Sequence, residues 1–452
     1  MNSIAVIILA AGLGTRMKSS LPKVLHKAAN RSLLGHVMTA AAALQPQKTV
    51  VVHGPGMDSV RKEAATFDPH AVFAEQAERK GTGHAVLMAA SALKAFRGTV
   101  VILYGDVPLI QASTLQKLVA KISETDAMAV VGFVAAQPKG YGRLIVNHQE
   151  KVIAIREELD ASPEERGVSL CNSGIIAISS DVLWRELPKI GSANAKGEIY
   201  LTDLVELVSA AGHKVALEIC PEAEVRGVND RTQLAQVEAG LQTRYRHQAM
   251  LDGVTLVDPP TVFFSADTKI ANDVRIEPHV IFGPGVTVAS GVEILGHSHI
   301  EGASIARGAR IGPFARLRPG AAIGENAHIG NYVEIKNAVV ADGAKVNHLT
   351  YIGDASIGKG SNIGAGTITC NYDGYEKHHT DIGDNVFVGS NTALVAPVRI
   401  GHGANIAAGS VITRSVPDDA LAITRPELDI RAGWAKSYRA MKAAKKARKK
   451  KD

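Results

Sequence analysis

Residues 305–335 read IARGARIGPFARLRPGAAIGENAHIGNYVEI, and the spacing within them decides the architecture of half the chain. Ile305, Ile311, Leu317, Ile323, Ile329 and Ile335 recur every six residues. On the N-terminal side the same period holds Ile270, Ile276, Phe282, Val288, Ile294 and Ile300. On the C-terminal side come Val340, Val346 and Ile352, then Ile357, Ile363 and Thr369. After a 13-residue step the pattern resumes at Ile382, Val388, Leu394, Ile400, Ile406 and Ile412. Of these 24 positions 23 are hydrophobic, where a composition of 46% would give about 11. A period of six fits neither a helix face nor an alternating strand. It fits a parallel β-helix in which each hexad forms one short side and three hexads make one coil. Small residues four positions on (Val274, Ala309, Ala315, Ala327) and glycines directly after (Gly312, Gly324, Gly330, Gly364) let the chain turn its corners. The long step marks a loop, roughly Cys370 to Asp381, and loops on rigid scaffolds tend to carry function.

Residues 1–227 follow another rule. Ile4–Leu9, Thr49–His53 and Thr99–Leu103 are short apolar runs that read as buried strands. Leu33–Leu44 and Gly83–Phe96 between them read as amphipathic helices. Strands alternating with helices predict a parallel α/β sheet. Leu234, Val237, Leu241 and Tyr245 are spaced three to four apart and predict a connecting helix. The expected organisation is an α/β domain over 1–229, a helical linker over 230–250 and a β-helix over 251–452.

Composition narrows the class. A chain of 452 residues has room for about three domains, and 21% charged residues is ordinary for a globular protein. Three cysteines exclude a disulfide framework and point to a reducing, cytoplasmic setting. No segment reads as a targeting signal or reaches the ~20 apolar residues of a membrane span. The net charge of +6 is local: residues 436–452 hold nine Lys or Arg and one Asp, which leaves −2 for the rest. The basic end reads as a solvated, frayed tail, and nucleic acid is not expected as a partner.

The first strand opens into Ala10-Ala11-Gly12-Leu13-Gly14-Thr15-Arg16-Met17, with Pro22-Lys23 following. Met17 stands where a Walker loop or a dinucleotide fingerprint needs glycine. What remains is a loop whose N–H groups can approach phosphates, followed by two cations, Arg16 and Lys23. A tight turn with two surface cations is the competing reading. Strand Val100–Leu103 ends in Tyr104-Gly105-Asp106, where an open sheet binds its ligands. A carboxylate there suits magnesium completed by substrate phosphates, although a helix N-cap is the alternative use of Asp106.

The six-residue repeat resembles the hexapeptide-repeat acyltransferases, whose β-helices are left-handed against the usual crossover rule. The glycine loop with Lys23 and the Tyr104-Gly105-Asp106 strand end resemble the sugar-nucleotide pyrophosphorylases. In this order the two halves resemble a bacterial bifunctional family, glucosamine-1-phosphate N-acetyltransferase joined to N-acetylglucosamine-1-phosphate uridylyltransferase, up to about Arg425. The resemblance implies a Rossmann-like sugar nucleotidyltransferase domain followed by a left-handed β-helix of hexapeptide repeats.

In the first half it implies UTP held by Leu9, Ala10, Ala11 and Gly12, with Arg16 and Lys23 on phosphate. Gln76, Gly81 and Thr82 would surround uracil, in a strand-end pocket with Tyr104 and Gly105. Gly142, Glu157 and Asn172 would hold N-acetylglucosamine, and Mg2+ would sit on Asp106 and Asn229. Leu13 and Arg79-Lys80 depart from some relatives. In the second half it implies Arg318, Lys336, Tyr351 and Asn362 on the phosphosugar, with His348 as general base. Acetyl-CoA would meet Ala365, Asn371, Tyr372, Ser390, Ala408 and Arg425. A homotrimer is the implied assembly. Cys171, Cys220 and Cys370 show no metal spacing and read as small buried or loop residues.

Overall fold

The computed structural model describes residues 3–448. They divide into two compact units: one comprises the chain up to Leu251 together with Phe263–Asp267, the other Asp252–Val262 and the chain from Thr268 onward.

The first unit is built on a sheet whose central strand, Ile4–Ala10, is flanked in parallel by Lys48–His53 and Thr99–Tyr104. Its side chains alternate between the two faces. Val6, Ile8 and Ala10 join one apolar core and Ala5, Ile7 and Leu9 the other, so both faces are covered, as a parallel sheet requires. The sheet is nevertheless mixed. Strand Leu170–Ser179 runs antiparallel to both Thr99–Tyr104 and Met128–Val134. It is entered from the hairpin Arg143–Val146/Val152–Arg156 rather than through a helical crossover, which is why an all-parallel expectation fails here.

Leu33–Ala42 is helical as its apolar spacing predicts, and Ser32 caps it by accepting from Gly35 N. The helix expected over Gly83–Phe96 covers only Thr82–Met88. Beyond it the bonds become i→i−3, as in Ala90 N to Leu87 O and Phe96 N to Leu93 O. This tighter winding keeps Ala89, Leu93 and Phe96 in the core.

Helix Arg231–Leu251 packs Val237 and Leu241 against Met17, Leu33 and Leu109 of the α/β unit. The returning segment belongs there too. Gln242 bonds the main chain of Phe264 in both directions, at 2.7 and 2.8 Å, and Ala266 N donates to Ala29 O. A fragment ending after Asp267 is therefore expected to melt about 2–4 °C above one ending at Met250, roughly what one lost kilocalorie does in a domain of this size. Equal midpoints in thermal unfolding would contradict it.

In the second unit each two- or three-residue strand pairs in parallel with the strand one coil later, forming three columns. One runs through Ile294, Ile311, Ile329, Val346 and Ile363, a second through Ile300, Leu317, Ile335 and Ile352, a third through Ile305, Ile323, Val340 and Ile357. These residues are buried. The unit is the parallel β-helix that the hexads predict, left-handed as the family resemblance implies. Thr369, the one polar hexad position, is satisfied inside the coil, because its hydroxyl bonds both N (2.8 Å) and O (3.0 Å) of Gly353.

The basic end departs from the frayed expectation: Trp434–Arg448 is an exposed helix. Ala, Lys and Arg are strong helix formers, and Trp434 stacks on Tyr438 at 5.0 Å one turn on. Positions 449–452 of that tail lie outside the described residues. No described helix is long and apolar enough to cross a membrane.

Candidate active sites

In the α/β unit, Leu9 pairs with Tyr104, Ala10 with His53 and His53 with Glu75. Four parallel strands thus end at one level, and the chain leaves them as Ala11-Gly12, Gly54, Gln76 and Gly105-Asp106. A cavity of about 330 Å³ opens at these ends, where a doubly wound sheet binds ligands. Leu9, Ala10, Ala11, Gly12, Lys23, Gln76, Gly81, Thr82, Tyr104 and Asp106 line it. Gly105 lies beneath, its N–H bonded to Leu9 O.

Gln76 is buried; its amide donates to Gly81 O at 3.0 Å and approaches His84 Nδ1 at 3.2 Å. Gly81 has φ +107°, and a Cβ there would stand 2.5 Å from Ile199 O, so only glycine fits this wall. Burial, followed by the negative charges of Glu157 and Asp106, drives the Tyr104 phenol far above its ordinary pKa, although a bond from Thr82 opposes this. Tyr104 is therefore a neutral hydrogen-bonding wall.

The charged centre is built from three separate stretches. Val228 N donates to Asp106 O at 2.9 Å, which brings Asn229 beside the carboxylate. Lys23 Nζ is bonded to Asp106 and lies 3.4 Å from Asn229 Oδ1. Arg16 Nη2 donates to the same Asn229 oxygen at 2.9 Å. The N-cap reading of Asp106 does not hold: the next helix, Ala112–Ala120, starts after Gln111 with no side-chain cap. Asp106 and Asn229 offer two oxygen donors facing one ammonium, a donor set that suits a hard cation whose shell is completed by phosphate oxygens and water. Among the described residues no three His, Cys, Asp or Glu side chains form a protein-only metal cluster.

Gly142, Glu157 and Asn172 meet beside the pocket. Asn172 N donates to Gly142 O at 2.8 Å, and a Cβ on Gly142 would stand 3.6 Å from Glu157 Oε1. Burial raises the Glu157 carboxyl, while a bond from Thr202 (3.1 Å) works the other way. Of the charged residues lining the pocket, two escaped the sequence reading as ligand contacts, Arg79 and Glu198. Arg79 donates to Ala11 O at 2.9 Å and so ties the glycine loop down; its only sequence signal was a departure beside Gly81.

In the β-helix one corner collects residues two places past aligned inward aliphatics. Asn331, His348, Ala365, Ser390 and Ala408 stand in that column, after Ile329, Val346, Ile363, Val388 and Ile406. His348 Nδ1 is bonded to Asn331 Oδ1 at 2.9 Å. An amide oxygen accepts only, so Nδ1 carries the proton and Nε2 the lone pair. Asn331 gave no sequence signal. Ser390 and Ala408 line a groove of about 430 Å³ with Phe387 and Asn405, and the Arg425 side chain passes over neighbouring Gly409.

The next corner collects the cations. Arg318 and Lys336 each follow an inward residue by one place, one coil apart. Arg318 Nη1 is paired with Glu334 at 2.8 Å. The equivalent residue in the next coil is Gly353, and a Cβ there would lie 2.3 Å from Tyr351 Oη. Glycine is what lets the phenol fold into the line of the two cations. Asn362 stands on the neighbouring column, paired with Lys345 and Phe387. In the loop, Asn371 is buried, and Tyr372 is exposed with its hydroxyl on Gly374 O at 2.6 Å. Lys377 of this loop lies against Lys336, whose ammonium lowers its pKa; neither spacing nor motif had marked it. Cys171 and Cys220 are buried and Cys370 half-buried, all as free thiols. Burial pushes the Cys220 thiol up to about 12.

A strand-end nucleotide pocket followed by hexapeptide coils defines a nucleotidyltransferase joined to a hexapeptide transferase. Residues 6–169 match the MobA-like NTP transferase domain and residues 379–414 the bacterial transferase hexapeptide family, while 299–373 match the GMPPB C-terminal domain. The chain is 52% identical to the bifunctional protein GlmU of Paramagnetospirillum magneticum over 99% of both chains. It is 55% identical to that of Rhodospirillum rubrum and 53% to that of Bradyrhizobium diazoefficiens, over 97–98% of each chain. The chain belongs to the bifunctional GlmU family.

Proposed function

We propose that the β-helix acetylates glucosamine-1-phosphate with acetyl-CoA, and that the α/β unit then transfers UMP from UTP to N-acetylglucosamine-1-phosphate, releasing pyrophosphate. The product, UDP-N-acetylglucosamine, supplies cell-wall and outer-envelope polysaccharide synthesis. The observation that carries the reading is the pairing of two charged centres on one chain: Lys23 held between Asp106 and Asn229, and Arg318, Lys336 and Tyr351 beside His348.

In acetyl transfer the amine nitrogen attacks the thioester carbonyl, the C–S bond breaks and CoA leaves as thiol. His348 Nε2 takes the ammonium proton, and Asn331 keeps the ring in the required tautomer. Arg318, Lys336 and Tyr351 hold the sugar phosphate so that the amine faces the imidazole. Ala365, Ser390, Ala408, Arg425 and the Asn371-Tyr372 loop form the acetyl-CoA surface. Asn362, on the column before the His348 corner, faces the sugar from the other side.

In uridylyl transfer a phosphate oxygen of the sugar attacks the α-phosphorus of UTP in line, and pyrophosphate departs. Arg16 and Lys23 meet the charge that grows on the phosphates, so catalysis is positioning and electrostatics. Gln76, Gly81 and Thr82 hold uracil; Gly142, Glu157 and Asn172 hold N-acetylglucosamine. Asp106 and Asn229 would hold Mg2+, which when bound neutralises phosphate charge. The free cysteines support a reducing, cytoplasmic location.

A coupled assay tests the reading. With UTP and Mg2+, pyrophosphate should form from N-acetylglucosamine-1-phosphate alone, but from glucosamine-1-phosphate only when acetyl-CoA is added. No pyrophosphate from glucosamine-1-phosphate even with acetyl-CoA present would reduce the β-helix to an assembly device. We also propose a homotrimer, as three-sided coils suit threefold packing. Sedimentation at micromolar concentration should give about three times 47.6 kDa, and a monomer would count against it.

A further inference from the structure

The second β-helix corner carries a polar row that the two activities leave unexplained. Two places past Ile335, Ile352 and Thr369 stand Asn337, Asp354 and Asn371 in successive coils. Stacked coils bring such residues about 4.8 Å apart. Asn337 Nδ2 donates to Asp354 Oδ1 at 2.6 Å, and Asn371 Nδ2 donates to Asp354 Oδ2 from the other side. The carboxylate is half-buried between two amides. Only a group that accepts on both oxygens can sit there. An amide at 354 would turn its NH₂ toward a neighbouring NH₂.

The same carboxylate lies in the field of two ammonium groups, Lys336 directly before Asn337 and Lys377 on the loop rooted at Asn371. Burial would raise the Asp354 pKa, but the bonds from Asn337 and Asn371, then the charges of Lys336 and Lys377, hold it below the ordinary carboxylate range. Lys336 and Lys377 lie against each other, a repulsive arrangement that Asp354 offsets. Lys336 belongs to the coil, whereas Lys377 and Asn371 belong to the loop between strands Ile368–Cys370 and Thr380–Ile382.

We propose that Asp354 is the positioning residue that joins the two substrate subsites of the acetyltransferase. Through Asn371 it fixes the root of the acyl-donor loop, and through Lys336 and Lys377 it assembles the ammonium pair that receives the sugar phosphate. The inference rests on the roles given above to Lys336 and Asn371. It adds that the two subsites are built on one carboxylate, so disturbing either end disturbs both.

The test uses the full-length enzyme and follows thiol release, with uridylyl transfer as a measure of folding in the same chain. Asp354→Asn should raise KM for glucosamine-1-phosphate and for acetyl-CoA together, each by about 10- to 100-fold, the usual cost of a lost charged hydrogen bond. Uridylyl transfer should stay within about twofold. Asn371→Ala should show the same crossed effect and raise KM for the phosphosugar as well as for the donor. That variant keeps the test open if Asp354→Asn weakens the coil. In the double variant the two effects should fall well short of additive. Asp354→Asn with an unchanged acetyl-CoA KM, or additive effects, would overturn the link. If Lys336→Ala and Asn371→Ala each leave acetyl transfer intact, it is the subsite reading that fails instead.

Discussion

Replacing Asp106 by alanine is expected to lower uridylyl transfer by about 10²-fold or more while acetyl transfer continues unchanged. The carboxylate has two tasks at the strand ends. It holds the Lys23 ammonium, with side chains only 14% and 19% exposed, and in the proposed reading it would supply, with Asn229, the oxygen donors for a divalent cation. Its removal leaves Lys23 to Asn229 alone, and Arg16 competes for that same oxygen. Asp106→Asn separates the tasks: it retains an oxygen but not the charge, so it should recover part of the Mg2+-dependent rate but not the tight hold on Lys23. Acetyl transfer is the control, because none of the residues proposed for it lies in the α/β unit. Equal loss of both activities in a folded variant would assign Asp106 to stability. Undiminished uridylyl transfer, or full activity in EDTA, would move the phosphate chemistry elsewhere.

The residues that could be read in advance are those whose position follows from a local rule. The hexads are periodic, so the inward aliphatics from Ile270 to Ile412, the coil length and the loop after Cys370 could be found without a partner residue. The strand ends follow from apolar runs meeting glycine, which marked Gly12 and Asp106. What escaped depends on long-range geometry. No local signal says that Leu170–Ser179 inserts antiparallel between two strands, because that choice lies in how a distant hairpin enters the sheet. Asn331 and His348 are 17 residues apart and touch only because one coil has that length. Lys377 meets Lys336 through the fold of the loop, which has no period at all. Gly353 could be seen as a corner glycine, but not as the space that admits Tyr351. The tail differs for another reason: its charge implies solvation, and it is exposed, but the intrinsic preference of Ala, Lys and Arg makes it a helix rather than a frayed end.

Replacing His348 by alanine should reduce acetyl-transfer turnover by about 10²- to 10⁴-fold, the range for a general base. The amine of glucosamine-1-phosphate is protonated near neutrality and cannot attack a thioester until it loses that proton. In the proposed mechanism His348 takes it. It stands in the corner column that continues through Ala365, Ser390 and Ala408, next to the corner that carries Arg318 and Lys336. Its Nδ1 is occupied by Asn331, so the lone pair is fixed on Nε2. Substrate KM values should change little, because the proposed function assigns the phosphate and the CoA surface to other side chains. Uridylyl transfer should be untouched. Asn331→Ala provides the graded companion. It frees the ring to adopt the other tautomer without removing it, so turnover should fall by less than in His348→Ala, about tenfold. A glutamine at 348 can hydrogen-bond but cannot accept the proton, and should be as slow as alanine. If His348→Gln retained turnover, the imidazole would be an orienting group and the base would have to be sought elsewhere at the corner.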